Sequence, residues 1–231
     1  MYGLFILLLA LSGIAAQMAW RRYEAALVRG RKLVIPGGLT AGEVAQLYLE
    51  ANDLPNVRIM QHDAVISDYM DSERKCLFLN SSVMNGTDAA SLAIALHEAA
   101  HAVQRETSAQ ALRWRESTIR LTRYVPTLVP LALLLFTILR RFPFRATLMA
   151  TAFVWFLIMV TSAMSLPIEF NASQRALAFL ENKLEKYPRF VEAMTTLLRD
   201  VAFRDTGAFV RSPVYCLYGL LPMGGKLRPT K

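Results

Sequence analysis

His97-Glu98-Ala99-Ala100-His101 lies in the run SLAIALHEAAHAVQ and sets two imidazoles four residues apart, with a carboxylate beside the first. On a helix, residues four apart stack on one face, so the two rings can share a metal ion while Glu98 points at a water on that metal. The chemistry this suits is hydrolysis. A catalytic zinc needs neutral nitrogen ligands, an open coordination position and a carboxylate that takes a proton as the metal lowers the water pKa toward about 7. His97 and His101 would bind the metal and Glu98 would be the base. The competing reading is a helix whose two histidines simply face a polar interior.

A catalytic zinc usually has three protein ligands. The only other histidine is His62, in the polar stretch QHDAVISDYMD, where a solvated loop histidine is the ordinary expectation. Glu169 is the better candidate. It stands at the exit of the third apolar segment, where a membrane hairpin would return the chain to the side of His97 and His101, so that two spans act as a staple between the two helices.

These residues sit in a strongly apolar chain. Of 231 residues, 54% are hydrophobic, and the mean hydropathy is +0.31. Met1 to Trp20 and Ala146 to Ile168 carry no charged side chain, and each is long enough at about 1.5 Å per residue to cross a hydrocarbon core of about 30 Å. Tyr124 to Leu139 is also uncharged but shorter and contains Pro126 and Pro130; it becomes a span if Arg140 and Arg141 reach back to the interface. The first segment resembles a retained anchor more than a cleaved leader, because Arg21 and Arg22 follow it and no basic residue precedes it. The net charge of +8 gathers beside the apolar runs without aromatic interleaving, which membrane topology explains better than binding to nucleic acid, so no nucleic-acid partner is expected. Cys76 and Cys216 are too few and too distant for a disulfide framework or a thiolate metal site.

Outside the spans, Pro36-Gly37-Gly38 ends the helix that precedes it, and Thr40 and Glu43 stand in capping-box spacing at the start of another, through about Asn52. Val57 to Met60 and Cys76 to Asn80 read as short strands, a hairpin or a pair. Asn85-Gly86-Thr87-Asp88 offers caps to the helix of His97 and His101. Beyond Ile168, Ala172, Ala176, Phe179 or Leu180 and Leu184 form one helical stripe, Pro188 breaks it, and a further amphipathic helix covers about Arg189 to Arg204. Gly207 to Gly225, interrupted by Arg211, Pro213 and Pro222, reads as interfacial or packed loop.

The order GLTAGEVAQLYLEANDLPNVRI, ISDYMDSERKCLFLNSSVMNGTDAASLAIALHEAAHAVQ, two apolar spans and LPIEFNASQRA resembles the bacterial YugP-type neutral zinc metallopeptidases, over most of residues 1–187. The resemblance implies a zinc-dependent membrane endopeptidase centred on His97, Glu98 and His101. More distantly, Glu169-x-x-Ala172-Ser173-x-x-Ala176 is similar to a segment of HtpX-like and CAAX-prenyl membrane proteases whose glutamate is the third zinc ligand, with Ser173 in place of their Asp. The chain departs from the YugP-type pattern at Tyr69-Met70 and at Asn171. In related zinc proteases an edge strand beside the HExxH helix binds the substrate backbone, a role expected here of Cys76 to Asn80.

The expected fold is a mainly α-helical membrane protein with a small β element, an HExxH zinc-protease-like helical core joined to about three transmembrane segments. Residues 1–20 form the anchor, 21–123 the first part of the metalloprotease domain with the HExxH helix, 124–168 a transmembrane hairpin, and 169–231 the second part with the third ligand and the C-terminal helices. One catalytic Zn2+ would be held by His97, His101 and Glu169, with Glu98 catalytic, a protein or peptide as substrate and membrane lipid as surroundings. Tyr69 and Arg175 are candidate donors to the oxyanion. The positive-inside rule weighs Arg21, Arg22, Arg29, Arg31, Lys32, Arg113, Arg115, Arg120, Arg123 and Arg175 against Arg140, Arg141 and Arg145, and places the zinc site on the cytoplasmic face of a bacterial inner membrane. A catalytically silent zinc-binding adaptor of the same fold is the first rival, but a structural site needs no general base. A transporter is the second, but its spans would be expected to carry an ionisable residue.

Overall fold

Backbone polar groups that enter a bilayer must be satisfied within their own segment, which favours long helices for the apolar runs. The computed structural model describes residues 2–63, 67–220 and 228–229. Along the chain, α1 (Tyr2–Gly30) and α2 (Ala41–Ala51) precede the strands β1 (Arg58–His62), β2 (Tyr69–Asp71) and β3 (Cys76–Asn80). The one-turn α3 (Ser81–Met84) leads into the long helices α4 (Ala89–Ile138) and α5 (Phe144–Lys183). Then come α6 (Pro188–Val201), α7 (Arg204–Gly207), a 3-10 turn (Ala208–Arg211), α8 (Ser212–Leu220) and the two-residue β4 (Arg228–Pro229). Among the described residues α1, α4 and α5 are the helices long and apolar enough to cross a membrane. Their apolar side chains turn outward: Leu7, Leu131, Leu135, Phe153 and Met164 are all more than half exposed. A belt of that kind is natural against lipid and costly against water.

The chain divides into two compact units, Met1–Arg21 with Trp114–Leu166 and Phe203–Pro222, and Arg22–Arg113 with Pro167–Ala202 and Met223–Lys231. In the first, Ala16, Ile158 and Phe209 form a core flanked by Val125, Val154 and Trp155. Pro130 has no N–H to give the carbonyl of Pro126 four residues earlier. Trp155 of α5 supplies the missing donor, its Nε1 lying 3.1 Å from that oxygen. The prolines of the shorter apolar run are thereby accommodated without an orphaned carbonyl at Pro126. Outside the apolar runs, buried Asp205 draws Arg115 to 3.1 Å, Arg204 to 3.4 Å and Arg123 to 3.6 Å.

The segment expected as a loop from Gly207 is helical as far as Leu220, while residues 221–225 lie outside the described residues. Its two apparent breakers are harmless where they fall. Pro213 occupies the first turn of α8, where a missing N–H costs nothing. Arg211 lays its guanidinium over the Trp20 ring, 5.2 Å from the centroid.

In the second unit the sheet order is β2-β3-β1-β4. The two strand-like runs of the sequence do pair, but in parallel, from Arg58 against Cys76 to His62 against Asn80, and not as a hairpin. β2 joins antiparallel to β3, with Tyr69 opposite Phe78 and Asp71 opposite Cys76. The expectation that Cys76 to Asn80 is an edge strand is therefore corrected. β3 is central, with Cys76 to Leu79 buried, as its unbroken apolar run demands. The edge strands are β2, which lies in the polar stretch between the two runs, and the two-residue β4.

Local signals behave as their chemistry requires. The Thr40 hydroxyl accepts the Glu43 N–H at 3.2 Å and the Glu43 carboxylate takes the Thr40 N–H at 2.7 Å, the reciprocal cap of α2. Asp88 Oδ1 accepts from the N–H groups of Ala90 and Ser91, each at 3.0 Å, and caps α4. α4 keeps helical geometry through the HEAAH run and breaks at Ser108, where φ is −155° and ψ is 55°. The stripe Ala172, Ala176 and Leu180 of α5 is buried, as its spacing predicts. At the end of α1, a Cβ on Gly30 would come within 2.8 Å of the Ala90 nitrogen, so only glycine allows this approach to the start of α4.

Candidate metal centre

Small residues bring the site together. On α4, Ala93, Ala95, Ala99, Ala100 and Ala102 are buried around the HEAAH run, and Ala172 and Ala176 line the facing stripe of α5. Between these buried alanines the polar side chains of α4 and α5 meet, Gln104 reaching Asn171 and His97 reaching Glu169. His97, Glu98 and His101 offer ligand atoms that all lie within 4.8 Å of one another. The Oε2 of Glu169 lies 2.9 Å from His97 Nε2 and 3.5 Å from His101 Nε2. All four residues are buried, at 0 to 2% exposure.

The hydrogen bonds fix which atoms carry protons. The Ser173 hydroxyl donates to the carbonyl of Leu198 at 2.7 Å, and a carbonyl can only accept. The contact between Ser173 Oγ and His97 Nδ1 at 3.0 Å is therefore donated by the imidazole, which leaves a lone pair on His97 Nε2. Gln104 orders the second ring by the same logic. Its Nε2 donates to the carbonyl of Ile168 at 2.8 Å and to Asn171 Oδ1 at 2.9 Å, so its Oε1 accepts His101 Nδ1–H at 2.7 Å. His101 Nε2 is then also a lone pair, buried and, among the described residues, without a hydrogen-bond partner.

Two imidazole lone pairs and one carboxylate oxygen thus converge on one buried point. Acceptors facing acceptors in a low-dielectric interior are unstable unless something positive lies among them. A single shared proton would serve His97 and Glu169 but leave His101 Nε2 bare. A divalent cation satisfies all three, so the donor set fits zinc, which takes neutral imidazole and carboxylate together. Burial holds the His97 imidazole below its ordinary pKa, more than the neighbouring Glu169 carboxylate raises it, and keeps the ring in the neutral form a metal requires.

Glu98 stands beside the two rings and is also tied to the sheet. Its Oε2 accepts the backbone N–H of Met70 at 3.2 Å, so the edge strand β2 holds the carboxylate from one side. His62 is not the solvated loop residue its surroundings suggest. It ends β1, buried, and lies outside the cluster of His97, Glu98 and His101. Tyr69 stacks on Phe78 with ring centroids 4.9 Å apart, and Arg175 donates to Asn171 Oδ1 at 2.9 Å and Thr107 Oγ1 at 3.3 Å. The residues that sequence reasoning passed over are Gln104, Ser173 as a hydrogen-bond partner, and Met70. Gln104 carried a usable signal, since three residues after His101 it shares that helix face.

Residues 2–214 match the family described as "Putative neutral zinc metallopeptidase". The chain belongs to that family. It is also similar to the "Putative membrane protease YugP" of Bacillus subtilis (strain 168), with 29% identity over 148 residues, which is 63% of each chain. The chain thus aligns with less than two thirds of that relative's length. No solved structure matches it. The matched span contains His97, Glu98, His101 and Glu169, and the family description names zinc.

Proposed function

We propose that the chain is a membrane-bound endopeptidase that hydrolyses peptide bonds at a single zinc ion held by His97, His101 and Glu169. The observation that carries this reading is the convergence of three buried acceptor atoms, with the other nitrogen of each ring tied down by Ser173 or Gln104. When bound, zinc supplies Lewis acidity and lowers the pKa of a coordinated water toward about 7. Glu98 is the carboxylate that takes the proton of the attacking water and delivers it to the leaving amine nitrogen. Met70 orients that carboxylate through its N–H. An extended peptide adding to the edge of β2 would run beside Glu98, and main-chain hydrogen bonds would hold it there whatever its sequence.

The zinc-binding halves of the domain are residues 21–123 and 169–231, with 1–20 as anchor and 124–168 as hairpin. The excess of arginine and lysine on the side of the HEAAH run supports a site facing the cytoplasm across a bacterial inner membrane.

One observation favours a second reading. The four site residues are almost wholly buried, which suits a closed zinc-binding adaptor as well as an enzyme that opens to admit substrate. Glu98 separates the two, because a structural zinc needs no general base. The experiment is to measure zinc in the purified detergent-solubilised chain and to follow its cleavage of an unfolded model protein. Stoichiometric zinc with cleavage abolished by chelation is expected. Zinc without cleavage would favour the adaptor, and no zinc would refute both.

A further inference from the structure

Gln104 does more than fill a gap after the HEAAH run. Its amide uses three of its hydrogen-bonding positions, and each partner belongs to the metal-bearing elements. Oε1 accepts from His101 on α4, while Nε2 grips the Ile168 carbonyl and the Asn171 side chain on α5, the residues that bracket Glu169. Asn171 cannot turn its amide to offer an N–H instead without breaking a second bond, because Arg175 Nε also donates to its Oδ1 at 2.9 Å. The side chain is buried at 4% exposure, so these bonds have little competition from water.

Resting on the zinc reading above, we propose that Gln104 is a positioning residue that sets the distance between the second histidine ligand and the third, carboxylate ligand. It selects the tautomer of His101 with the lone pair on Nε2, and it fastens the same helical turn to the segment of α5 that presents Glu169. A ligand's outer partner normally tunes metal affinity by about 10 to 100-fold, and here one side chain acts on two ligands from opposite elements. The need for such a clamp is visible in α4 itself. The helix breaks at Ser108, four residues beyond Gln104, so helical continuity does not brace this end of the site from below.

The test is metal binding by the full chain in detergent, for zinc by competition with a chelating dye and for Co(II) by its visible absorption, which reports ligand geometry. Gln104→Met keeps the volume and removes every hydrogen bond; Gln104→Ala opens a space that water can enter from the adjoining cleft of about 240 Å³, lined by Ser108, Leu112, Asn171 and Arg175. Gln104→Met should weaken zinc about 10 to 100-fold and alter the Co(II) spectrum, with Gln104→Ala less affected. Asn171→Asp, which still accepts from both Gln104 and Arg175, should retain affinity and spectrum. Wild-type affinity and spectrum in Gln104→Met, together with metal loss in His97→Ala, would overturn the positioning role and leave the zinc reading intact. Unchanged metal binding in His97→Ala as well would overturn both.

Discussion

His97 Nε2 and Glu169 Oε2 lie 2.9 Å apart, 72 residues distant in sequence, and the Nδ1 bond to Ser173 leaves both as hydrogen-bond acceptors when the carboxylate is ionised. In the proposed zinc site that contact adds a third ligand to the histidine pair of one helix. If zinc occupies this point, the metal-free protein should be the less stable form.

Replacing His97, His101 or Glu169 with alanine should therefore reduce bound zinc to a small fraction of stoichiometric. Metal analysis after gel filtration checks this. Stripping zinc from the wild type with a chelator should lower its melting temperature, since a ligand that binds only the folded state adds about 2.7 kcal/mol at one hundred times its Kd. Glu169→Ala with full zinc and unchanged affinity would show that the carboxylate is not a ligand.

Glu98→Gln should keep the zinc and the fold but lose the base. Peptide hydrolysis should fall by at least about 100-fold, the lower end of what a positioned general base contributes. Turnover of a fluorogenic peptide by the two purified proteins makes the comparison. A variant that cleaves at the wild-type rate would remove Glu98 from the mechanism.

Gly30→Ala should destabilise the protein by roughly 1 to 3 kcal/mol, the usual cost of forcing a methyl into a packed contact. The added carbon would meet backbone and side-chain atoms of Ala90, neither of which can rotate away. Thermal unfolding measured by circular dichroism reads the effect. An unchanged melting temperature would mean that the ends of α1 and α4 are not closely packed.

The turn between α4 and α5 should face away from the cytoplasm. A cysteine at Phe142, in a background lacking Cys76 and Cys216, should react with a membrane-impermeant thiol reagent on intact cells. The arginines at 140, 141 and 145 oppose this assignment, whereas the larger cluster from Arg113 to Arg123 with Arg21 to Lys32 favours it. Labelling only after lysis would invert the topology and place the zinc site outside the cytoplasm.

The sequence by itself determined what depends on local periodicity and length. A helical repeat of about 3.6 residues puts His97 and His101 on one face, charge-free runs of sufficient length become helices able to span a bilayer, and Thr40 with Glu43 caps α2 because their reach suits three residues of separation. Tertiary structure decided whatever depends on distances between elements. Only packing placed Glu169 against both imidazoles, brought Ser173 and Gln104 to their outer nitrogens, made β3 central and left β2 at the edge beside Glu98. The physical reason is that a side chain's direction within an element follows from its position in the repeat, whereas its neighbour on another element follows from how all the buried side chains pack together, which no local pattern encodes.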